Sequence, residues 1–232
     1  MATVFITAID TTAGKTVATG LIAMYIRNTG RSVITLKLVQ TGCSNRSEDI
    51  ATHRSLMGIA MTDDDKEGLT CPYVFKYPAS PHLAASMENA VIDPAVISAS
   101  ADKLAKRYSH VLIEGVGGIE VPMTESVTTL DYIADQGYPV IVVTSPALGS
   151  INHTLLTLRA ARARKLDVLG LIYNRNMEAD NLIAKNSRAV FDRALNTDGH
   201  HGWIIDLPHI QDLAQPPHVD FSPLLADMED AS

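Results

Sequence analysis

Cysteine is nearly absent: Cys43 and Cys71 are the only two in 232 residues. They lie far apart and have no Cys or His partner at zinc spacing. A disulfide scaffold and a cysteine-based zinc site are therefore not expected, and two reduced thiols are. Positive charge is also scarce. Nineteen Lys and Arg face 26 Asp and Glu, for a net charge of −7. Such a chain has no overall basic field to hold a nucleic-acid backbone, although a local basic pocket is compatible with it. No apolar run approaches the ~18 residues that would span a bilayer. No basic segment precedes the first strand-like stretch, so neither a membrane segment nor a signal peptide is expected, and the location expected is cytoplasmic. Repeats, low-complexity stretches and long linkers are missing too. The expectation is one domain over residues 1–232, with the acidic end, 227–232, as a frayed tail.

The chain does hold enough apolar residues, 46%, for one substantial core. Short, nearly fully apolar, β-branched runs occur at 3–8, 32–39, 110–114, 139–144 and 168–173, with a last candidate at 203–207. Strands buried on both faces have this composition. Amphipathic segments at 15–29, 49–57, 80–87, 94–108, 128–136 and 151–165 read as helices. Gly30 is a good stop for the first, and Asp93 an N-cap before a Pro for the fourth. Alternating strand and helix predicts an α/β fold, a mostly parallel sheet with helices on both faces. Ligands in such folds collect at the carboxyl ends of the strands.

The first strand end carries Ala8-Ile9-Asp10-Thr11-Thr12-Ala13-Gly14-Lys15-Thr16, between a strand and a helix. That is the context of a phosphate-binding loop: backbone N–H groups and the helix dipole face an anion. Lys15 would neutralise β- and γ-phosphates, and the Thr16 hydroxyl would hold Mg2+. The plainer reading is a β–α turn capped by Thr11 or Thr12. At the second strand end, Lys37 is costly in a two-sided buried strand unless it lies near an edge or meets an anion. It reads as a second cation at the phosphate or as a surface Lys that snorkels. Asp49, beside Glu48 at a helix start, reads alone as a helix N-terminal charge. The third strand ends in Glu114-Gly115-Val116-Gly117-Gly118. An acid there, next to a phosphate loop, suits Mg2+ binding, and the glycines allow close approach of a ligand.

Together these residues resemble the dethiobiotin synthetases, and the resemblance covers almost the whole chain. The family pattern T-G-T-D-T-x-x-G-K-T is similar to Thr7 through Thr16. K-P-V-x-x-G is similar to Lys37-Leu38-Val39-Gln40-Thr41-Gly42, and S-P-H to Ser80-Pro81-His82. V-E-G-A-G-G is similar to Ile113 through Gly118, and G-x-I-N-H to Gly149-Ser150-Ile151-Asn152-His153. Asn174 stands where the family has its late Asn. Two positions depart: Ala8 replaces the first Gly, and Leu38 replaces the Pro after the Lys. Between residues 45 and 71 only Asp49 matches well.

The resemblance implies a single-domain, P-loop NTPase-like enzyme. It would carboxylate 7,8-diaminononanoate with CO2 and close the ring, with ATP as co-substrate, Mg2+ as cofactor and a homodimer as the working form. Thr12, Ala13, Gly14, Lys15, Thr16 and Val17 would wrap the triphosphate, with Gly115, Val116 and Gly117 beside it. Thr16, Asp49 and Glu114 would hold Mg2+. Lys37 and Lys15 would be catalytic cations, and Thr11 and Thr41 would lie near the carbamate. Asn174, Arg175, Leu207, Pro208 and His209 would reach the nucleotide base. Gly149, Ser150, Ile151 and Asn152 would reach the substrate carboxylate across the dimer interface. His82 and His153 read as capping or packing residues, and the pair His200-His201 as exposed. Two other readings compete: a partitioning-type nucleotide-switch ATPase and a ligase-inactive nucleotide-binding paralogue. The first usually carries another Lys early in its phosphate loop, where this chain has Ile9, Asp10 and Thr11.

Overall fold

The structure, a computed structural model, describes residues 2–176, 180–197 and 201–230. Six parallel strands form the central sheet: β1 (Ala2–Ala8), β2 (Val33–Lys37), β5 (His110–Glu114), β6 (Val140–Thr144), β7 (Val168–Asn174) and β8 (Trp203–Leu207), in the order β2-β5-β1-β6-β7-β8. A separate two-residue parallel pair joins β3 (Gln40–Thr41) and β4 (Val74–Phe75). The helices are α1 (Lys15–Asn28), α2 (Glu48–Leu56), α3 (Asp63–Lys66), α4 (Pro81–Met87), α5 (Pro94–Ala105), α6 (Thr129–Gln136), α7 (Ser150–Ala163), α8 (Asn181–Leu195) and α9 (Ser222–Asp230).

Alternation along the strands sorts the core into two layers. Val4, Ile6 and Ala8 pack with α1 and α9 through Leu21, Ile22 and Leu224. Phe5, Val111, Ile113 and Val142 pack with α5 to α8 through Ile97, Leu104, Ile133, Leu158 and Phe191. Each such side chain contributes about 1.5–3 kcal/mol on burial, which is why the strands read as continuous apolar runs. The alternation breaks in β7, where the register with β6 shifts between Val140 and Ile141. Gly170 sits at this bulge because a Cβ there would lie 2.4 Å from the Trp203 carbonyl oxygen and 2.9 Å from Leu224. Because all six strands run the same way, their last residues, Lys37, Glu114, Ala8, Thr144, Asn174 and Leu207, share one edge of the sheet.

Several expectations about boundaries are corrected. β2 stops at Lys37 rather than 39: its last ladder bond to β5 runs from Leu38 N–H to the Glu114 carbonyl at 2.9 Å, and from Gln40 the chain pairs with β4 instead. The segment expected to fray from 227 is still helical to Asp230, with Met228 buried under β1 and β7 and the Asp227 carboxylate accepting from the Trp203 indole. Residues 231 and 232 lie outside the described residues. α8 had no counterpart in the sequence reading. The two departures from the family pattern are well accommodated. Ala8 ends a strand with no positive φ, and the N–H that Leu38 restores is the one bonded to Glu114.

The poorly matching segment 45–71 has a clear physical role. Arg54, only 2% exposed, donates to Thr35 Oγ1, to the Thr35 carbonyl and to both oxygens of Asp65 at 2.9 and 2.8 Å. Asp65 also accepts from Thr70 Oγ1 and closes the capping box of α3. This block covers the outer edge of β2, which would otherwise be open. Burial pushes the Asp65 carboxyl up, but its hydrogen bonds and the Arg54 charge prevail and bring it down from 3.8 to about 2. The stability tied to this shift is complete above pH 3.8 and is lost as pH falls to about 2. Asp65→Asn, which leaves Arg54 unpaired, is expected to cost about 3–5 kcal/mol in urea denaturation at pH 7. The variant should also lose stability less steeply than wild type between those two pH values. A wild-type midpoint in Asp65→Asn would contradict this role.

Candidate active site

The loop after β1 is built as a polyanion cradle. Thr11–Ala13 form a single 3-10 turn, capped by the Asp10 side chain accepting from Thr11 N–H. Gly14 then takes φ +96, and α1 starts at Lys15. A Cβ on Gly14 would sit 2.3 Å from Asn174 Nδ2, so the position excludes every side chain. Lys15 is buried and donates to the Asp10 carbonyl at 3.0 Å. Burial and the nearby Lys37 charge bring its ammonium down to about 8.

Lys37 and Glu114 face one another in register on the adjacent strands β2 and β5. Both are buried. Lys37 Nζ lies 2.8 Å from Glu114 Oε1, 2.6 Å from Asp49 Oδ2 and 2.9 Å from the Gly115 carbonyl. This excludes the snorkelling alternative. Burial lowers the Lys37 pKa, but the Glu114 and Asp49 carboxylates outweigh it and raise the pKa. Burial likewise pushes the Glu114 carboxyl up, and Lys37 and His53 override it, holding it well below the usual carboxylate range. Thr16 Oγ1 donates to Glu114 Oε1 at 2.9 Å. The strand ends of β2, β5 and β1 thus bring Lys15, Thr16, Lys37, Asp49 and Glu114 into one cluster.

The oxygens of Thr16, Asp49 and Glu114 suit a hard divalent cation. Among the described residues no group of three His, Cys, Asp or Glu forms a metal centre. Two carboxylates and a hydroxyl beside a phosphate loop fit an ion whose shell is completed by phosphate oxygens and water.

The remaining expected residues divide. Thr11 is exposed, and its hydroxyl lies 3.7 Å from where a Gly117 Cβ would be, so the β1 loop and the 115–118 loop meet there. Thr12 is exposed, Val17 and Val116 are half-buried, and so is Thr41 on β3. Asn174 Nδ2 donates to the Ala13 carbonyl at 2.9 Å, and its Oδ1 accepts from Asn176 N–H. Its amide is therefore engaged by the backbone and ties the phosphate loop to β7. The Leu207 side chain is fully buried in the core and its carbonyl accepts from Arg175 N–H, which leaves any base contact there to backbone; Pro208, His209 and Arg175 are exposed. Gly149, at φ +90, opens α7, followed by Ser150, buried with a hydroxyl that has no partner among the described residues. Ile151 is half-buried and Asn152 exposed. His153 and His201 are exposed, while His200 lies outside the described residues.

A cavity of about 690 Å3 adjoins the cluster, between Asp10, the 118–122 segment and the Leu156 face of α7. Another, of about 840 Å3, lies near the opposite ends of β7 and β8, away from the converging cations. The sequence reading missed His53. It is fully buried and bonds Glu114 Oε2 at 2.7 Å and Thr35 Oγ1 at 2.9 Å. The available signal was its position four residues after Asp49, on the same face of α2.

Comparison with known proteins identifies the family. The family model described as "AAA domain" matches residues 2–216. The chain is 51% identical to "ATP-dependent dethiobiotin synthetase BioD 2" of Haemophilus influenzae, over 81% of this chain and 98% of that one. It is 50% identical to "ATP-dependent dethiobiotin synthetase BioD" of Chlorobaculum tepidum, over 87% and 85%. Among solved structures, the MinC:MinD cell division complex of Aquifex aeolicus aligns with TM-score 0.55 at 12% identity, over 92% of this chain and 85% of that one. A ParA family ATPase from Chlorobium tepidum aligns with TM-score 0.54 at 13% identity, over 97% and 89%. At such identities the structures share the fold alone, that of the P-loop NTPases. Half of the residues shared along most of both chains is a far closer tie, and by it this chain belongs to the dethiobiotin synthetase family.

Proposed function

We propose that the Lys15–Lys37–Glu114 cluster carries out the reaction for which the family is named: ATP-dependent carboxylation of 7,8-diaminononanoate with CO2 and closure of the cyclic urea. The observation that carries the assignment is the convergence of two buried ammonium groups and two carboxylates beside the Gly14 loop. By its family the chain is an ATP-dependent cyclo-ligase of biotin biosynthesis.

An amine and CO2 form a carbamate, a weak and negatively charged nucleophile that must approach a triphosphate. The N–H groups at the start of α1 and the Lys15 ammonium hold the β- and γ-phosphates. The buried Lys37 ammonium offers fixed positive charge where the γ-phosphoryl group, as the carbamate oxygen bonds its phosphorus and ADP leaves, spreads its negative charge. Thr16, Asp49 and Glu114 would hold Mg2+, which supplies further positive charge to the phosphate oxygens when bound. Thr11 and Thr41 border the carbamate. The second amine, held on the same carbon frame, then attacks the mixed carbamic–phosphoric anhydride, closes the ring and expels phosphate. The cavity beside Asp10 and Leu156 fits the aliphatic chain of the diamine.

The substrate carboxylate is assigned to the Gly149–Asn152 turn of a second copy, which opens the N-terminus of α7. Leu148, 89% exposed, and Leu156, 53% exposed, supply apolar surface for a homodimer there. No helix of the described residues is long and apolar enough to cross a membrane, in keeping with a cytoplasmic enzyme of small molecules.

Two tests follow. With ATP, Mg2+, bicarbonate and the diamine, wild type should release ADP only when the diamine is present and form a cyclic urea. Lys37→Ala should bind nucleotide with little change and lose about 10²–10³-fold in turnover, with a melting curve run alongside because Asp49 and Glu114 lose their partner. Diamine-independent ADP release would favour a nucleotide switch instead, and undiminished turnover in Lys37→Ala would remove Lys37 from the chemistry. In sedimentation, wild type should have twice the 25.0 kDa chain mass. Leu148→Glu should shift it to one chain and raise KM for the diamine more than for ATP. A monomeric, fully active wild type would rule out the shared site.

A further inference from the structure

Glu114 is held from behind by a chain of hydrogen bonds whose directions can be worked out. Arg54 has donors and no acceptor. Its Nη1 therefore donates to Thr35 Oγ1 at 2.7 Å. Thr35 is fully buried, so its own hydroxyl hydrogen needs a protein acceptor. The atom facing it is His53 Nδ1 at 2.9 Å. Nδ1 is then the acceptor, and the ring hydrogen sits on Nε2, 2.7 Å from Glu114 Oε2. One carboxylate oxygen is thereby committed to His53. The other, Oε1, is left facing Lys37 at 2.8 Å and Thr16 at 2.9 Å.

We infer that His53 is a positioning residue: the relay Arg54–Thr35–His53 fixes its Nε2–H tautomer, which locks the rotation of Glu114 and presents Oε1 to the nucleotide and its ion. This deepens the functional reading and rests on its placement of Glu114. The local architecture suits the role. Thr35 lies two residues before Lys37 and so on the same side of β2. Asp49 and His53, one turn apart on α2, meet the two sides of the Lys37–Glu114 pair. The far end of the relay is fixed in turn, because Arg54 is clamped by Asp65. All four members of the chain are buried, so no solvent molecule competes for the hydrogens. A carboxylate with both oxygens free would sample several rotations. This one has a single orientation before any ligand arrives, which is the function of groups that orient metal-binding side chains.

Nitrogen-15 NMR of the imidazole rings in the ligand-free protein tests the tautomer. His53 should carry its hydrogen on Nε2 in wild type. Thr35→Val, which keeps the shape and removes the hydroxyl, should leave the hydrogen on Nε2, where the Glu114 carboxylate accepts it, but free Nδ1 of its donor, shifting the Nδ1 resonance and loosening the ring; an unchanged Nδ1 resonance would remove Thr35 from the relay. Hydrogen on Nδ1 in wild type would overturn the inference. Turnover as a function of Mg2+ tests the consequence. His53→Leu should raise the half-maximal Mg2+ concentration about tenfold or more, with KM for the diamine nearly unchanged. His53→Gln, whose amide N–H can replace the Nε2 donor, should restore most of the loss. If His53→Leu fails to fold, the wild-type and Thr35→Val spectra still decide. Glu114→Gln separates the two readings. If it is severely impaired while His53→Leu behaves as wild type, the inference fails and the placement of Glu114 stands. If Glu114→Gln keeps the wild-type Mg2+ requirement while the His53 tautomer is as described, the placement of Glu114 fails and the relay stands.

Discussion

A lysine and a glutamate, opposite one another on neighbouring parallel strands and almost out of contact with water, set the terms for the rest of this structure. Withdrawing either charge from water costs several kcal/mol, and the pairing of Lys37 with Glu114 offsets that cost only because Asp49, His53, Thr16 and the Gly115 carbonyl complete the shell. Two apolar residues would pack as well and hold the sheet together more simply. In the proposed function the charged pair has a use that apolar residues would lack: fixed, oriented charges ready for a polyanion, needing no rearrangement of solvent to act.

The fold supplies the framework in layers. The order β2-β5-β1 puts Lys37, Glu114 and the phosphate loop on three adjacent strand ends. α2, capped by Ser47 and packed on α1, swings Asp49 and His53 in from the side. Arg54 and Asp65 close the edge of β2 and stop the Thr35 end of that assembly from shifting. Asn174 reaches from the far half of the sheet to hold the Ala13 carbonyl. Residues that never touch a ligand thus govern the position of those placed to do so.

Much of this was legible in the sequence, for physical reasons that can be named. Strands buried on both faces must be apolar throughout, so β1, β5, β6 and β7 stood out. A lysine or glutamate at the end of such a strand is expensive unless it has a task, so Lys37 and Glu114 stood out as well. The two-residue strands β3 and β4 have no periodicity to detect. α8 has a clear amphipathic pattern, with Ala184, Phe191 and Leu195 buried on one face, and was legible from it, whereas α9 follows a Pro-containing loop. Periodicity marks apolar faces only and α2 is polar in composition, so Arg54 did not stand out and His53 was signalled only by its spacing from Asp49. A helix whose buried face is made of hydrogen-bonded polar groups looks like a solvated one until its partners are seen. The Ala8 and Leu38 departures, open questions in the sequence, turned on backbone geometry: an ordinary strand end and a usable N–H.

The shared fold reaches to a cell division protein complex and a ParA family ATPase at 12–13% identity, so the fold alone does not choose between a switch and a ligase. The choice is made by the dethiobiotin synthetase relatives, with which this chain shares half its residues; what remains is how the strand ends do the work. The most direct measurement is a crystal structure of the protein with Mg2+, a non-hydrolysable ATP analogue and the diamine. The account predicts the γ-phosphate between the Lys15 and Lys37 ammonium groups, with the ion against Thr16 and Glu114. A nucleotide seated elsewhere, with Lys37 still closed on Asp49 and Glu114 and touching no phosphate oxygen, would contradict it.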